Sequence, residues 1–597
     1  MRLRAGSYYN FRNAVAILVF FIFFDAEFVL SSSYIKRNYD TLHIGLQLLL
    51  NEREKTLTGI ATLTIVPLDS QFSQCQFHAK EMEIRNVLLS SSEAVRFHSD
   101  SNKIYIDLDD SYSPRDTLQL TVSYVTKPQK GVYFNIPSEK LDGKHLQVYS
   151  HSEPTDARYW YPCYDAPDDK LTSEIEATVN EKLTVVSNGA LIEIHHNPET
   201  RTKTFHWKQT KPHANYLISF AAGEFHVVSD YYQSIPVNYY VYPDNFENAA
   251  CCFGKTPEMM AVFSGLFDYP YPWEKYDQVL INGYISRGME HTSATTMSDE
   301  IMHDSRTHLD RNCDALVSHE LAHQWFGNLV TCKSWPHIWL NEGFATYAEI
   351  LFTEADQGDD AAKFALYLQR NAYFRSEDQD FMQPIVYYYY THPREMFSHV
   401  TYQKASLVLH MLRNQIGDEM FFNALSTCLR QFAFQSITTD DFVKVVEAVT
   451  AQDLKWFFDQ WLNHGGYPSL SVRYEWNQLD KQVILNIEQI QESVAPIFKF
   501  PVDIKIVANG SARYHKIFLE SRSHTFRLPA DVEPAMVLFD PAHILLKKID
   551  FKKSQKESLF QLQHDVNLIG RLDAIESLIE MAKDTAVVVD GLISALS

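Results

Sequence analysis

The chain has 597 residues, with 53 Lys plus Arg against 75 Asp plus Glu and a formal net charge of -22. A hydrophobic content of 45% with 13% aromatic residues is ample for packed cores and excludes extensive disorder, and the length corresponds to about three to five domains. The acidic balance, without a long Lys/Arg run, excludes nucleic acid as the main partner, because phosphate binding needs clustered positive charge.

At the N-terminus, Arg2, Arg4 and Arg12 precede an unbroken apolar run of eleven residues, 14–24. Eleven residues fall short of the roughly 20 needed to span a bilayer, and the basic flank fits an export signal. A signal peptide or signal anchor is therefore expected over 1–33, placing the protein body outside the cytosol, secreted or membrane-associated. The same apolar segment would supply any membrane attachment; without a working leader the chain would be cytosolic. One glycosylation sequon, Asn509-Gly510-Ser511, occurs later. Seven cysteines, odd in number and without a CxxC pair, indicate neither a disulfide scaffold nor a cysteine zinc site; they are expected to be buried small apolar residues.

From 34 to 228 apolar residues alternate, as at Leu118, Leu120, Val122 and Tyr124 or Ile104, Ile106 and Leu108, which predicts an antiparallel β domain. Over 229–463 the pattern turns helical, with Leu409, Leu412 and Ile416 on one face of a helix from Ser406. Gly465-Gly466-Tyr467-Pro468 punctuates the chain, and alternation returns over 464–548, a small β-sandwich. The remainder, 549–597, is helical, with Leu568, Leu572, Ile575 and Ile579 as its apolar stripe.

Within the helical region lies Ser318-His319-Glu320-Leu321-Ala322-His323-Gln324-Trp325-Phe326-Gly327. Residues four apart share a helical face, so His319 and His323 can reach one ion, while Glu320 stands beside it without binding. Glu342, in Asn341-Glu342-Gly343-Phe344, follows His323 by nineteen residues. That is enough for the first helix to end near Gly327, a loop to turn and a second helix to return a carboxylate as third ligand. Two neutral histidines and one carboxylate suit a single Zn2+ ion and leave one position for water. Glu320 can take a proton from that water and pass it to the leaving amine.

These motifs, in this order, resemble the gluzincin (M1-type) zinc aminopeptidases, which include aminopeptidase N, puromycin-sensitive aminopeptidase and leukotriene A4 hydrolase. The resemblance runs from about Tyr39 to the end of the chain. It rests on Glu153-Pro154-Thr155-Asp156-Ala157-Arg158, Tyr161-Pro162-Cys163-Tyr164-Asp165, Arg287-Gly288-Met289-Glu290-His291, the two metal segments and Val400-Thr401-Tyr402-Gln403-Lys404. It implies a multidomain α+β fold: an N-terminal β-saddle, a thermolysin-like catalytic domain, a small β-sandwich and a C-terminal helical region, here shorter than in most relatives. It also implies that Gly288, Met289 and Glu290 bind substrate as the GxMEN-like element, with Glu290 recognising the α-amine of a peptide and Glu153 sharing that task. Tyr402 matches the tyrosine that stabilises the oxyanion. An ammonium has three donors, so a pair of carboxylates is physically suited to hold it.

Arg287 stands where the motif usually has Gly, His291 where it has Asn or His, His151 where Gln is common and Ala166 where Glu is common. The implied function is a zinc-dependent aminopeptidase removing N-terminal residues from peptides that carry a free amine. The alternatives are a catalytically silent peptide-binding homologue and a dual-function epoxide hydrolase/aminopeptidase.

Overall fold

A computed structural model describes residues 37–90, 93–137, 145–376, 383–492 and 495–581. The leader expected over 1–33 lies outside the described residues, and among those residues no helix is long and apolar enough to cross a membrane.

The N-terminal part is built on an eight-stranded sheet in the order Ala190–Asn197, Thr202–Ala214, Lys170–Asn180, Tyr39–Asn51, Thr56–Pro67, Leu118–Thr126, Met82–Leu89, Glu93–Ala94. Leu118, Leu120, Val122 and Tyr124 point inward and are buried, as are Ile104, Ile106 and Leu108 on a second, three-stranded sheet. One pairing departs from the antiparallel expectation: Tyr39–Asn51 runs parallel to Lys170–Asn180, with His43 opposite Thr172. Alternation reports which face is buried, not strand direction, and the long intervening chain permits a parallel return.

A five-stranded mixed sheet follows, in the order His226–Tyr232, Ile235–Val241, Tyr276–Ile281, Ala294–Ser298, Gly288–Met289. The boundary expected at 228 thus falls inside a strand. Tyr276–Ile281 is parallel to both neighbours and buried at every position, so it carries no alternation to read. Gly288–Met289 forms the edge of this sheet and pairs antiparallel with Ala294–Ser298.

Helix Asp314–Ala322 packs against the edge strand Gly288–Met289 and against helix Trp339–Gln357, on which Asp359–Arg375 and Ala405–Ile416 pack in turn. Leu409, Leu412 and Ile416 are buried, as their spacing requires. Trp325, fully buried, is edge-on to Phe263, Phe267 and Tyr271. It donates its indole N–H to the Tyr269 carbonyl at 3.0 Å, so its one polar group is satisfied inside the core. The same apolar core continues through Val472, Leu485 and Ile504, binding the β-sandwich to the helices.

That sandwich packs a four-stranded sheet, Ser523–Pro529, Gln482–Gln489, Ser469–Asn477, Lys548–Phe551, on a three-stranded one, Ser511–Leu519, Phe500–Ala508, Met536–Phe539. Asn509 and Gly510, both at positive φ (51° and 72°), make the two-residue turn of a hairpin closed by Ala508 and Ser511, the geometry that Asn-Gly favours. Lys548–Phe551 pairs parallel with Ser469–Asn477, so the helical part begins after this strand and not at 549. Two helices follow, Gln555–His564 and Leu568–Met581. Glu557 anchors them by accepting from the Val537 N–H at 2.9 Å and the Tyr474 hydroxyl at 3.0 Å. The stripe in the last helix is rotated from expectation: Ile569, Ala574 and Leu578 are buried, while Ile579 is 61% exposed. Ala574, Leu578 and Ile575 pack on Leu559 and Leu562 of the preceding helix, a partner that a short pattern of mixed apolar residues does not specify.

Candidate metal centre

The helix Asp314–Ala322 buries Val317 and Leu321 and also Ser318, His319 and Glu320, so polar side chains occupy a buried face and need partners. His323 is its C-cap residue yet keeps helical backbone angles (φ -55°, ψ -25°). The two imidazoles therefore project together, Nε2 to Nε2 at 3.1 Å. Gly327, at φ 134°, then turns the chain, and a Cβ there would stand 3.0 Å from His323 Nδ1. After a 3-10 turn at Trp335–His337, helix Trp339–Gln357 opens with Glu342 in its first turn, where a carboxylate is favoured by the helix dipole.

Glu342 Oε2 lies 3.3 Å from His319 Nε2 and 3.4 Å from His323 Nε2. Bonds of ~2.0–2.2 Å at tetrahedral angles imply ligand-to-ligand edges of ~3.3–3.6 Å, so the three atoms fit one zinc ion. Glu342 Oε2 is buried and makes no hydrogen bond, which such an ion would remedy. The remaining ring nitrogens are tied back: His319 Nδ1 to Glu349 Oε1 at 2.8 Å and His323 Nδ1 to the Phe326 carbonyl at 3.1 Å. Partners of this kind fix the tautomer that presents Nε2 to a metal. Glu349 was not singled out from sequence. It sits seven residues after Glu342, two turns along the same helical face, and that spacing is the signal that could have found it.

Eight of the nine site residues expected from sequence line one cleft: Glu153, Gly288, Glu290, His319, Glu320, His323, Glu342 and Tyr402. Met289 is the exception. Its side chain is buried in an apolar cluster with Val279, Ile281 and Tyr284, because successive strand residues face opposite sides of the sheet. Gly288 presents open backbone to the cleft, and a Cβ there would stand 2.1 Å from Glu320 Oε1, so the glutamate rests against the bare edge strand. The Tyr402 ring stacks on His319, centroids 6.1 Å apart and planes 13° apart.

Carboxylate oxygens of Glu153, Glu290 and Glu342 lie within 4.8 Å of one another. Asn328 and Gln324 hold the Glu290 backbone, donating to its carbonyl at 2.7 and 3.2 Å. Neither residue was anticipated. Burial, reinforced by the charge of Glu290, raises the pKa of Glu153 well above the carboxylate range, and burial raises Glu290 as well. Burial also pushes Glu320 up to about 8, against the pull of His319 and His323. Such a group of crowded acids calls for a cation, and a bound one inverts these shifts. Around the cluster, His151 donates or accepts at the Tyr284 hydroxyl (2.8 Å) and His291 does so at Thr296 Oγ1 (3.0 Å). Burial lowers both histidines, His151 to about 3, so neither brings charge to the acids. Arg287 is exposed at the rim.

Residues 35–217 match the peptidase M1 N-terminal domain and residues 252–461 the peptidase family M1 domain. The chain is 27% identical over 440 residues to glutamyl aminopeptidase of Rattus norvegicus, covering 71% of this chain and 46% of that one. It is 30% identical over 343 residues to aminopeptidase N of Streptomyces lividans, covering 55% and 39%. It spans about half the length of the first of these relatives. A crystal structure of Legionella pneumophila aminopeptidase A in complex with aspartic acid shares the fold, with a TM-score of 0.80, 20% identity, and coverage of 92% of this chain and 64% of that one. With both of its characteristic domains matched in order across the β-rich part and the helical part, the chain belongs to peptidase family M1.

Proposed function

We propose that this protein is a zinc-dependent aminopeptidase that hydrolyses the N-terminal residue from peptides. The reading is carried by one observation: three ligand atoms at tetrahedral spacing stand beside a buried, non-ligating glutamate, and two further buried carboxylates crowd the same cleft. Zinc held by His319, His323 and Glu342 would supply Lewis-acid polarisation of the scissile carbonyl and make a water acidic near neutral pH. Glu320 takes the proton from water and returns it to the departing amine, one carboxylate serving as base and then acid. Glu290 and Glu153 hold the substrate ammonium and so set the first peptide bond at the reacting position. The Tyr402 hydroxyl donates to the carbonyl oxygen as charge develops on it. The Arg-flanked apolar leader supports action outside the cytosol.

A panel of aminoacyl fluorogenic amides tests this. Hydrolysis of at least one amide is expected, abolished by a chelator and restored by zinc; a silent panel, or hydrolysis indifferent to the chelator, would overturn the reading. Within that assay Tyr402→Phe removes one donor that acts mainly on the charged oxygen, a contribution on the order of 3 kcal/mol. The expected result is a kcat lower by roughly a hundredfold with KM little changed. An unchanged kcat would reassign Tyr402 to packing against His319.

A further inference from the structure

Cys252, His303 and Cys313 come from three separate segments and meet. Cys252 lies in the short helix Ala249–Phe253, His303 follows the 3-10 turn Asp299–Ile301, and Cys313 is the N-cap residue of the helix that carries His319. One potential ligand atom of each lies within 4.8 Å of the others, and all three residues are buried. The Cys252 thiol is 3.4 Å from His303 Nδ1, and Cys313 Sγ is 2.8 Å from the Cys252 carbonyl. None of the three lines the cleft of the metal centre. Cys313 precedes His319 by six residues, about 9 Å along a helix.

We propose that Cys252, His303 and Cys313 form a second metal site, for a thiophilic divalent ion such as zinc, that fastens the start of the catalytic helix. Bonds of ~2.3 Å to sulfur and ~2.0–2.1 Å to nitrogen at a tetrahedral angle imply a sulfur-to-nitrogen edge of ~3.5 Å, and the Cys252–His303 distance of 3.4 Å matches it. Two thiolates neutralise a divalent ion, so the filled site is uncharged and tolerates burial. Binding forms two metal–sulfur bonds and one metal–nitrogen bond and releases one proton from each thiol to solvent, without redox change.

The imidazole has a second arrangement ready. Its Nδ1 lies 2.8 Å from the Ile301 carbonyl and its Nε2 2.9 Å from His308 Nδ1. When Nδ1 binds metal, the ring proton moves to Nε2 and is donated to His308, the outer contact that metal-binding histidines require. The Ile301 carbonyl oxygen, partner of Nδ1 in the metal-free cluster, also accepts from Cys252 Sγ at 3.4 Å. The role is structural. The ion would tie the N-cap of the helix bearing His319 and Glu320 to the short helix between the second and third strands of the five-stranded sheet and to the segment that follows its last strand.

The test is cobalt(II) substitution of the full chain. The centre at His319, His323 and Glu342 has no sulfur ligand, so an intense thiolate-to-cobalt charge-transfer band in the near ultraviolet reports the second site alone. The wild type is expected to show that band and to hold two zinc ions per chain when purified without chelator. Cys252→Ser, Cys313→Ser and His303→Ala should each abolish or weaken the band while the weaker d–d absorption of the first centre persists. Absence of the band in the wild type would overturn the proposal whether or not the variants fold. So would an intact mass two hydrogens low that maps to a Cys252–Cys313 disulfide. Neither result bears on the aminopeptidase reading, which is decided by the amide panel.

Discussion

Glu320→Gln is expected to bind zinc as the wild type does and to lose nearly all turnover. The amide has the shape of the carboxylate and fits the same place against Gly288, and His319, His323 and Glu342 keep the spacing that fits the ion. What is removed is the proton acceptor, and positioned acid–base groups contribute about 10²–10⁴-fold each. Because Glu320 serves twice, as base and then as acid, the loss should lie at the upper end of that range or beyond. His323→Ala and Glu342→Ala should differ by losing metal as well. Metal analysis alongside kcat separates the two classes, and a Glu320→Gln enzyme with near wild-type kcat would show that another group moves the proton.

Glu290→Ala is expected to remove most activity on free-amine substrates. Glu290 and Glu153 are buried, each with an Oε1 that has no hydrogen-bond partner. Burial raises the pKa of both carboxyls. An arriving ammonium supplies three donors and a positive charge, satisfying the orphaned oxygens and offsetting the crowding. Acetylation of the substrate deletes that charge and sets a carbonyl against the acids, leaving a buried charge without a partner, a penalty of about 3–5 kcal/mol. At 1.4 kcal/mol per factor of ten, acetylated peptides should be cleaved at least about a hundredfold more slowly by the wild type. The gap should narrow in Glu290→Ala, where the discriminating charge is gone. Equal loss on both substrates would instead mean that Glu290 supports the fold of the edge strand.

The grouping of His319, His323 and Glu342 was legible because it depends on helical spacing, and helical spacing is written in residue numbers: four between His319 and His323, then a gap to Glu342 long enough for a turn. The N-terminal strands were legible for a similar reason, since half-buried strands alternate. Strand direction and sheet order leave no such mark, so the parallel pairing of Tyr39–Asn51 with Lys170–Asn180 went unread. Full burial erased the alternation of Tyr276–Ile281. Met289 shows the limit of a motif: it lies between two cleft residues, yet the pleat turns it into the core. The cluster at Cys252, His303 and Cys313 lacks the close Cys spacing by which metal sites are read, because three distant segments each bring one residue. Glu349 was within reach, two turns beyond Glu342, for a reader who extended the helical argument from the ligands to what holds them.

A single peptide supplied in free and N-acetylated forms, each incubated with the full chain in the presence and absence of a chelator and followed by mass spectrometry, tests the central claim most directly. The free peptide should shorten one residue at a time from its N-terminus, stop when the chelator is added and resume with zinc, while the acetylated form survives. Internal cleavage of the acetylated peptide, or N-terminal shortening that the chelator leaves untouched, would contradict a zinc centre joined to an amine-binding pair at Glu290 and Glu153.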